Sequence, residues 1–174
     1  YRMMTSRAEY RLLLRQDNAD FRLTPIGYGI GLISEERYSK FTEKWNKINE
    51  EIKRLEKTIV TPSPEVLELL KDKNSSPIKS GVKMSELLKR PEISYKDLAV
   101  IDTKRPELSR AVEEQVEISI KYEGYIKRQM EQVEQFKKLE NKKLPENVDY
   151  SSIHGLSKEA RQKLNKIRPL SIGQ

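Results

Sequence analysis

The sequence predicts an all-α fold, an elongated helical bundle built on two long antiparallel helices with short accessory helices. Two patterns and one absence predict it. Residues 34–59 carry Tyr38, Phe41, Trp45, Ile48, Ile52, Leu55 and Ile59 at alternating spacings of three and four, the period of a helix that buries one narrow face against another. Residues 107–140 carry a second stripe of Leu108, Val112, Val116, Ile120, Ile126, Met130 and Val133. No segment shows the alternation of a half-buried strand. Two such helices can lie side by side, each large side chain that they bury contributing roughly 1.5–3 kcal/mol.

The elements follow in order. Residues 5–16 read as a helix capped by Thr5 or Ser6, with Tyr10, Leu13 and Leu14 on its apolar side. Asp17-Asn18-Ala19-Asp20 then supplies turn chemistry. In TPIGYGIGL, Thr24 suits an N-cap, Pro25 the first helical position and Gly31 the terminator of a short helix. Gly27, Gly29 and Gly31 have the wrong spacing for a phosphate loop, and no strand precedes them. Ser34 caps the first long helix, and Glu35 and Glu36 suit the positive end of its dipole.

Residues 60–106 are punctuated by Pro62, Pro64, Pro77, Pro91 and Pro106, with helical pieces expected at 64–72, 85–89 and 95–100. Ser75, Ser76 and Gly81 suggest an exposed connection, and this is the region where disorder is expected first. The second long helix lies between Pro106 and Pro145, and a last helix over 157–167 starts at Ser157 with an incomplete capping box. The domain reading is a segment 1–33 that joins a preceding domain, a long-helix pair over 34–145, and a small C-terminal helical segment over 146–174. Because the chain starts at Tyr1, it is expected to be a piece of a longer protein.

Charge narrows the partners. The net charge is +7 and the pI about 9.4, which favours an anionic partner, nucleic acid before a membrane surface. A solvated basic surface is the competing reading. With no cysteine there is no disulfide and no thiolate chemistry, which fits a reducing, cytoplasmic setting. No apolar run reaches the roughly 18 residues of a membrane span. The single His154 sits in a loop without a second histidine or a cysteine to share a metal. The carboxylates scatter over helix surfaces and mark no general acid–base pair. No catalytic residue and no metal ligand is therefore assigned.

Arg7, Arg11 and Arg15 recur every four residues in a chain with no lysine before Lys40. On a helix they would stack on one face and repel by a few tenths of a kcal/mol per pair, so something should offset them. Phosphates from a ligand or carboxylates from the fold would both do so, since the guanidinium fork matches either bidentately. Arg22 and Arg2 lie nearby. Glu9, Asp17 and Asp20 are the acids that would tie such arginines into an internal ion-pair network instead. Gly124 in YEGYIKRQ costs a helix roughly 1 kcal/mol against alanine, and close packing of another backbone would justify it. Lys121, Lys127 and Arg128 surround it and either contact phosphate or form a solvated basic face.

Taken together, YRMMTSRAEYRLLLRQDNADFRLT, GLISEERY, SELLKRPEISYKDL, VEISIKYEGYIKRQ and IHGLSKEARQKLNKIRPLSIGQ resemble the C-terminal region of the MnmG family, also called glucose-inhibited division protein A. The resemblance implies a flavin-dependent tRNA-modifying enzyme that, with the GTPase MnmE, acts on carbon 5 of the wobble uridine. It implies FAD bound by an N-terminal domain outside these residues, a homodimeric parent, and a C-terminal region associated with tRNA and with MnmE. The family continues beyond Gln174 into a further segment linked to MnmE docking, so docking by this chain is expected to be incomplete. The tRNA-contacting residues expected are Arg7, Arg11, Arg15, Arg22, Lys121, Lys127 and Arg128. The alternative function is a non-catalytic module for MnmE docking or self-association, its surface carried by the seam through Trp45 and Ile52 and by the Gly124 helix.

Overall fold

The computed structural model describes residues 9–174. Helices dominate, in the order α1 (Ala19–Gly29), α2 (Glu35–Lys57), α3 (Pro64–Asp72), α4 (Met84–Leu88), α5 (Arg110–Asn141) and α6 (Lys158–Ile167). A two-stranded antiparallel sheet joins β1 (Ile59–Val60) to β2 (Val82–Lys83), pairing Ile59 with Lys83 and Val60 with Val82. The sheet corrects the strand-free expectation. Two residues per strand are too few to display a period, and pairing is what forms them. Two compact units are present, one ending at Ile126 and one running Lys127–Gln174.

The helix expected over 5–16 is not found in its described part. Residues 5–8 lie outside the described residues, and over 9–16 the chain makes turns. Leu13 and Leu14 both donate to the Tyr10 carbonyl, at 2.9 and 3.0 Å, but the helix does not continue. Side chains take the carbonyls that it would need: the Arg15 guanidinium donates to Leu12 O and Asn18 Nδ2 donates to Leu13 O at 3.0 Å. Such side-chain bonds offer the backbone an alternative to the helical ladder.

The first described helix then starts earlier than Thr24, with Asn18 in the N-cap position and Pro25 in its interior. Gly31 terminates it as expected, with φ +78° and its N–H donated to Tyr28 O at 3.0 Å.

In α2, Ser34 accepts from Arg37 N at 3.4 Å, and Arg54 and Lys57 occupy the last turn. Its seam is covered by several elements in succession. On the first half, Phe21 stacks on Trp45 with ring centroids 3.8 Å apart and Tyr28 on Tyr38 at 4.1 Å. Further along, Ile48 and Leu55 enter the core, and Ile52 packs against it. The seam is thus consumed inside this unit, and Ile59, leaving the helix, is exposed in β1.

The expectation of disorder over 60–106 is overturned. This stretch supplies Val66, Leu70, Ile78, Met84, Leu87, Leu88, Ile93, Tyr95 and Leu98 to the core. Its prolines end short helices, which still bury their apolar faces. Ser63 caps α3 by accepting from Val66 N, with Pro64 at the helix start. Buried Ser75, expected in an exposed connection, accepts from Arg90 Nη1 at 2.8 Å. A single turn, Asp97–Val100, closes the segment.

Val112, Val116 and Ile120 of α5 complete the core. The picture of α2 and α5 burying each other's stripes is not found. The 60–106 side chains supply much of the core that both enter, and Met130, farther along the second stripe, is exposed.

In the second unit α6 is capped by Ser157, whose Oγ accepts from Ala160 N at 3.2 Å. The chain after α6 returns to the end of α5. Leu144 N donates to Leu170 O, and Ile172 N to Lys142 O, each at 3.0 Å, around an isolated bridge between Lys143 and Ser171. Tyr150 and Ser171 are buried there.

Candidate nucleic-acid interface

The predicted contact residues separate into engaged and free. Arg15 is engaged three ways. Its Nε and Nη2 donate to Asp17 at 2.9 and 3.2 Å, its Nη1 donates to Leu12 O, and its guanidinium lies 5.2 Å from the centroid of the Tyr122 ring. Arg22 donates to Asn18 Oδ1 at 2.9 Å and to Arg15 O at 3.3 Å. Lys121 pairs with Glu117 at 3.0 Å and reaches Pro91 O at 3.4 Å. These three hold their own fold together.

Arg11 is exposed and has no ion pair among the described residues. Because residues 9–16 form turns, the four-residue spacing does not place Arg11 and Arg15 along one helix face. Arg7 lies outside the described residues. In the second unit Lys127 and Arg128 are exposed, also without an ion pair among the described residues. Gly124 has nothing within 4 Å of the position a Cβ would occupy, so the close backbone packing expected of it does not occur within the described residues.

The most perturbed titratable groups form a different cluster. Tyr95 Oη donates to Glu51 Oε1 at 2.7 Å, and Arg54 donates to both oxygens of Glu51, at 2.7 and 2.8 Å, and to both of Asp102. Arg105 sits 4.3 Å from the Tyr95 ring centroid and pairs with Glu113. Burial first, then the Glu51 carboxylate, pushes the Tyr95 phenol well above its ordinary range. The Glu51 carboxylate, more than Asp102, holds the Arg54 proton still more firmly than usual. Each charge faces an opposite one, so the cluster fastens α2 to the 95–105 loop and leaves no group poised for proton transfer. Among the described residues no group of three His, Cys, Asp or Glu is placed to hold a metal, and no helix is long and apolar enough to cross a membrane.

The sequence reading missed where the positive charge concentrates. Residues 127–174 carry eleven Lys and Arg against six Asp and Glu, whereas residues 1–126 carry 23 against 21. That asymmetry was available from a charge count along the chain.

A helical domain built on 60–106 and a small lysine-rich helical unit after it define an accessory helical region, with no acid–base or metal centre assembled among the described residues. Residues 35–130 match the family model for the tRNA modifying enzyme MnmG/GidA C-terminal helical domain, and residues 132–174 match that for the C-terminal helical bundle of the same enzymes. The chain belongs to the MnmG/GidA family and is its C-terminal helical region. It is 67% identical over 174 residues to the tRNA uridine 5-carboxymethylaminomethyl modification enzyme MnmG of Caldicellulosiruptor saccharolyticus, and 59% identical to that of Clostridium kluyveri. All of this chain is matched in both cases, over 28% of each relative's length. The crystal structure of Aquifex aeolicus GidA in its form II crystal superposes with a TM-score of 0.65 at 34% identity, covering 99% of this chain and 26% of that one.

Proposed function

We propose that this chain is a tRNA-binding helical module of a flavin-dependent enzyme that modifies carbon 5 of the wobble uridine together with the GTPase MnmE. The observation that carries this reading is that Arg11, Lys127 and Arg128 are exposed with no carboxylate paired to them among the described residues, in a chain whose relatives are named as tRNA uridine modification enzymes. Phosphate contacts position an RNA without reading its bases, which suits a module whose parent performs its chemistry elsewhere. Arg15, Arg22 and Lys121 serve as positioning residues: Arg15 reaches Tyr122 of α5, Lys121 ties α5 to Pro91 O, and Arg22 fastens onto the opening turns.

The residues present do not fit FAD. Gly27, Gly29 and Gly31 lie at the end of α1, whereas a dinucleotide's pyrophosphate needs a glycine turn between a strand and a helix N-terminus. The cofactor is assigned to the remainder of the longer family polypeptide.

Titration of labelled tRNA with this chain at two salt concentrations tests the reading. Affinity should fall steeply with salt, and Arg11→Gln and the Lys127→Gln/Arg128→Gln pair should each flatten the dependence. Absence of measurable tRNA binding at low salt would remove it.

A second reading, protein docking, has its own observation. Leu23, Ile26, Ile30 and Leu32, in α1 and just after it, are 56%, 60%, 67% and 77% exposed, an apolar row of the kind that protein partners cover. MnmE and a second copy of the parent are the candidate partners.

A further inference from the structure

We infer that the lysine-bearing end of the second unit, Lys138, Lys142 and Lys143 with Lys158 and Lys166 of α6, is a phosphate-contacting surface for RNA, separate from Arg11 in the first unit. The inference rests on the tRNA-binding reading above and places the greater part of the grip on lysines that are not among the tRNA contacts expected from the sequence.

Pairing is the first support. Among the described residues, ion pairs run through the first unit, as in Lys40–Glu36, Lys44–Asp20, Lys47–Glu43, Arg54–Asp102, Lys73–Asp97, Lys89–Glu123 and Arg110–Glu114. In the second unit the ion pair is Lys163–Glu159, at 2.8 Å. Lys138, Lys142, Lys143, Lys158 and Lys166 are exposed with no carboxylate at ion-pair distance among the described residues. The positive excess there is therefore both larger and less neutralised.

Helix geometry is the second. Lys158, Gln162 and Lys166 follow at i, i+4 and i+8 and share one face of α6, while Ala160 and Leu164 on the other side are half-buried. Lys158 to Lys166 spans about 12 Å of helix. Lys158 also opens α6, where the helix dipole is positive and a cation is disfavoured. Its sequence neighbour Glu159 is already engaged by Lys163. An external polyanion would relieve that cost.

Placement is the third. The bonds between 142–144 and 170–172 draw the chain leaving α6 alongside the end of α5. They set Lys142 and Lys143 beside residues 170–172, which begin three residues after α6 ends at Ile167. A strand of phosphates suits these lysines better than a single small anion, because no two of them share a carboxylate at ion-pair distance among the described residues.

The test uses the 174-residue chain, labelled tRNA and a salt series. Lys158→Gln/Lys166→Gln and Lys142→Gln/Lys143→Gln are compared with Lys79→Gln/Lys96→Gln, two exposed lysines of the first unit. Each of the first two pairs should lower the log–log salt slope by roughly 1.4–1.8, the release expected for two phosphate contacts. The control pair should leave it unchanged, and all three should keep the parental circular dichroism and melting temperature. Salt-dependent binding with slopes unmoved by the first two pairs overturns this inference and leaves the tRNA-binding reading standing. Equal slope losses in all three pairs show only net charge and overturn it too. A chain that ignores tRNA but is held by polyglutamate overturns both, assigning the surface to an acidic protein.

Discussion

The Tyr95 hydroxyl donates to Glu51 across 44 residues of sequence at 2.7 Å, with both residues almost completely buried. This bond joins the middle of α2 to the loop before α5. Glu51 also receives Arg54, so Tyr95→Phe removes one of several donors to a buried carboxylate. The expected loss is about 1–2 kcal/mol, read as a lower urea midpoint with an unchanged slope. Arg54→Met should cost more, because it leaves Glu51 and Asp102 buried without their shared cation.

Asp97 gives a pH signature. Burial would raise its carboxyl, but the Lys73 ammonium at 2.7 Å and the Ser94 hydroxyl and amide outweigh this and hold it at about 2, against an ordinary 3.8. A carboxyl depressed in the folded state stabilises fully above its unfolded value, and the contribution disappears as pH falls through the folded value. Stability measured between pH 4 and pH 2 should therefore drop by on the order of 1–2 kcal/mol from this group. Asp97→Asn should be less stable at neutral pH and should lose that part of the acid dependence.

Gly124 predicts a gain. Its Cβ position is open and its backbone is helical, so Gly124→Ala should stabilise α5 by up to about 1 kcal/mol. A higher melting temperature with unchanged circular dichroism checks this. A drop in stability would show that the open space is filled in solution.

Trp45 is the chain's single tryptophan and therefore a clean reporter of the Phe21 stack. Phe21→Ala should expose its indole, shift emission to the red, and cost about 1 kcal/mol from the lost aromatic pair with more from lost burial. An unchanged spectrum would mean that α1 does not cover the start of α2 in solution.

Gly173 predicts the opposite of Gly124. A Cβ there would lie 2.8 Å from Glu140 Cα and 2.9 Å from Glu140 N, and backbone cannot yield as a flexible side chain does. Gly173→Ala should loosen the 170–173 return, measured as faster amide exchange at Ile172 and Leu144, whose N–H groups close that bridge.

Much of the helical framework is legible locally. Ser34 with Glu35 and Glu36 fixes the start of α2, Ser63-Pro64 that of α3 and Ser157 that of α6, because capping acts within one turn. Two-residue strands are not legible, since β1 exists only through Val82 and Lys83. Nor is the fate of the opening arginines. Whether a guanidinium meets phosphate or its own Asp17 depends on a bend that Arg15 and Asn18 create by capturing the Leu12 and Leu13 carbonyls. Lys138, Lys142, Lys143, Lys158 and Lys166 are marked by no row of three cations at helical spacing, and only the charge count along the chain hints at them.

By itself the sequence determined the starts of α2, α3 and α6, the apolar faces of the long helices, and the family to which the chain belongs. Those properties reside in neighbours within a turn and in the order of residues. The tertiary structure alone decided that 60–106 forms the core, that α1 covers the front of the Trp45 seam, and which cations remain free. Burial, and ion pairs between elements such as Arg54–Asp102 and Lys73–Asp97, are settled between residues far apart in the chain, where no local pattern reaches.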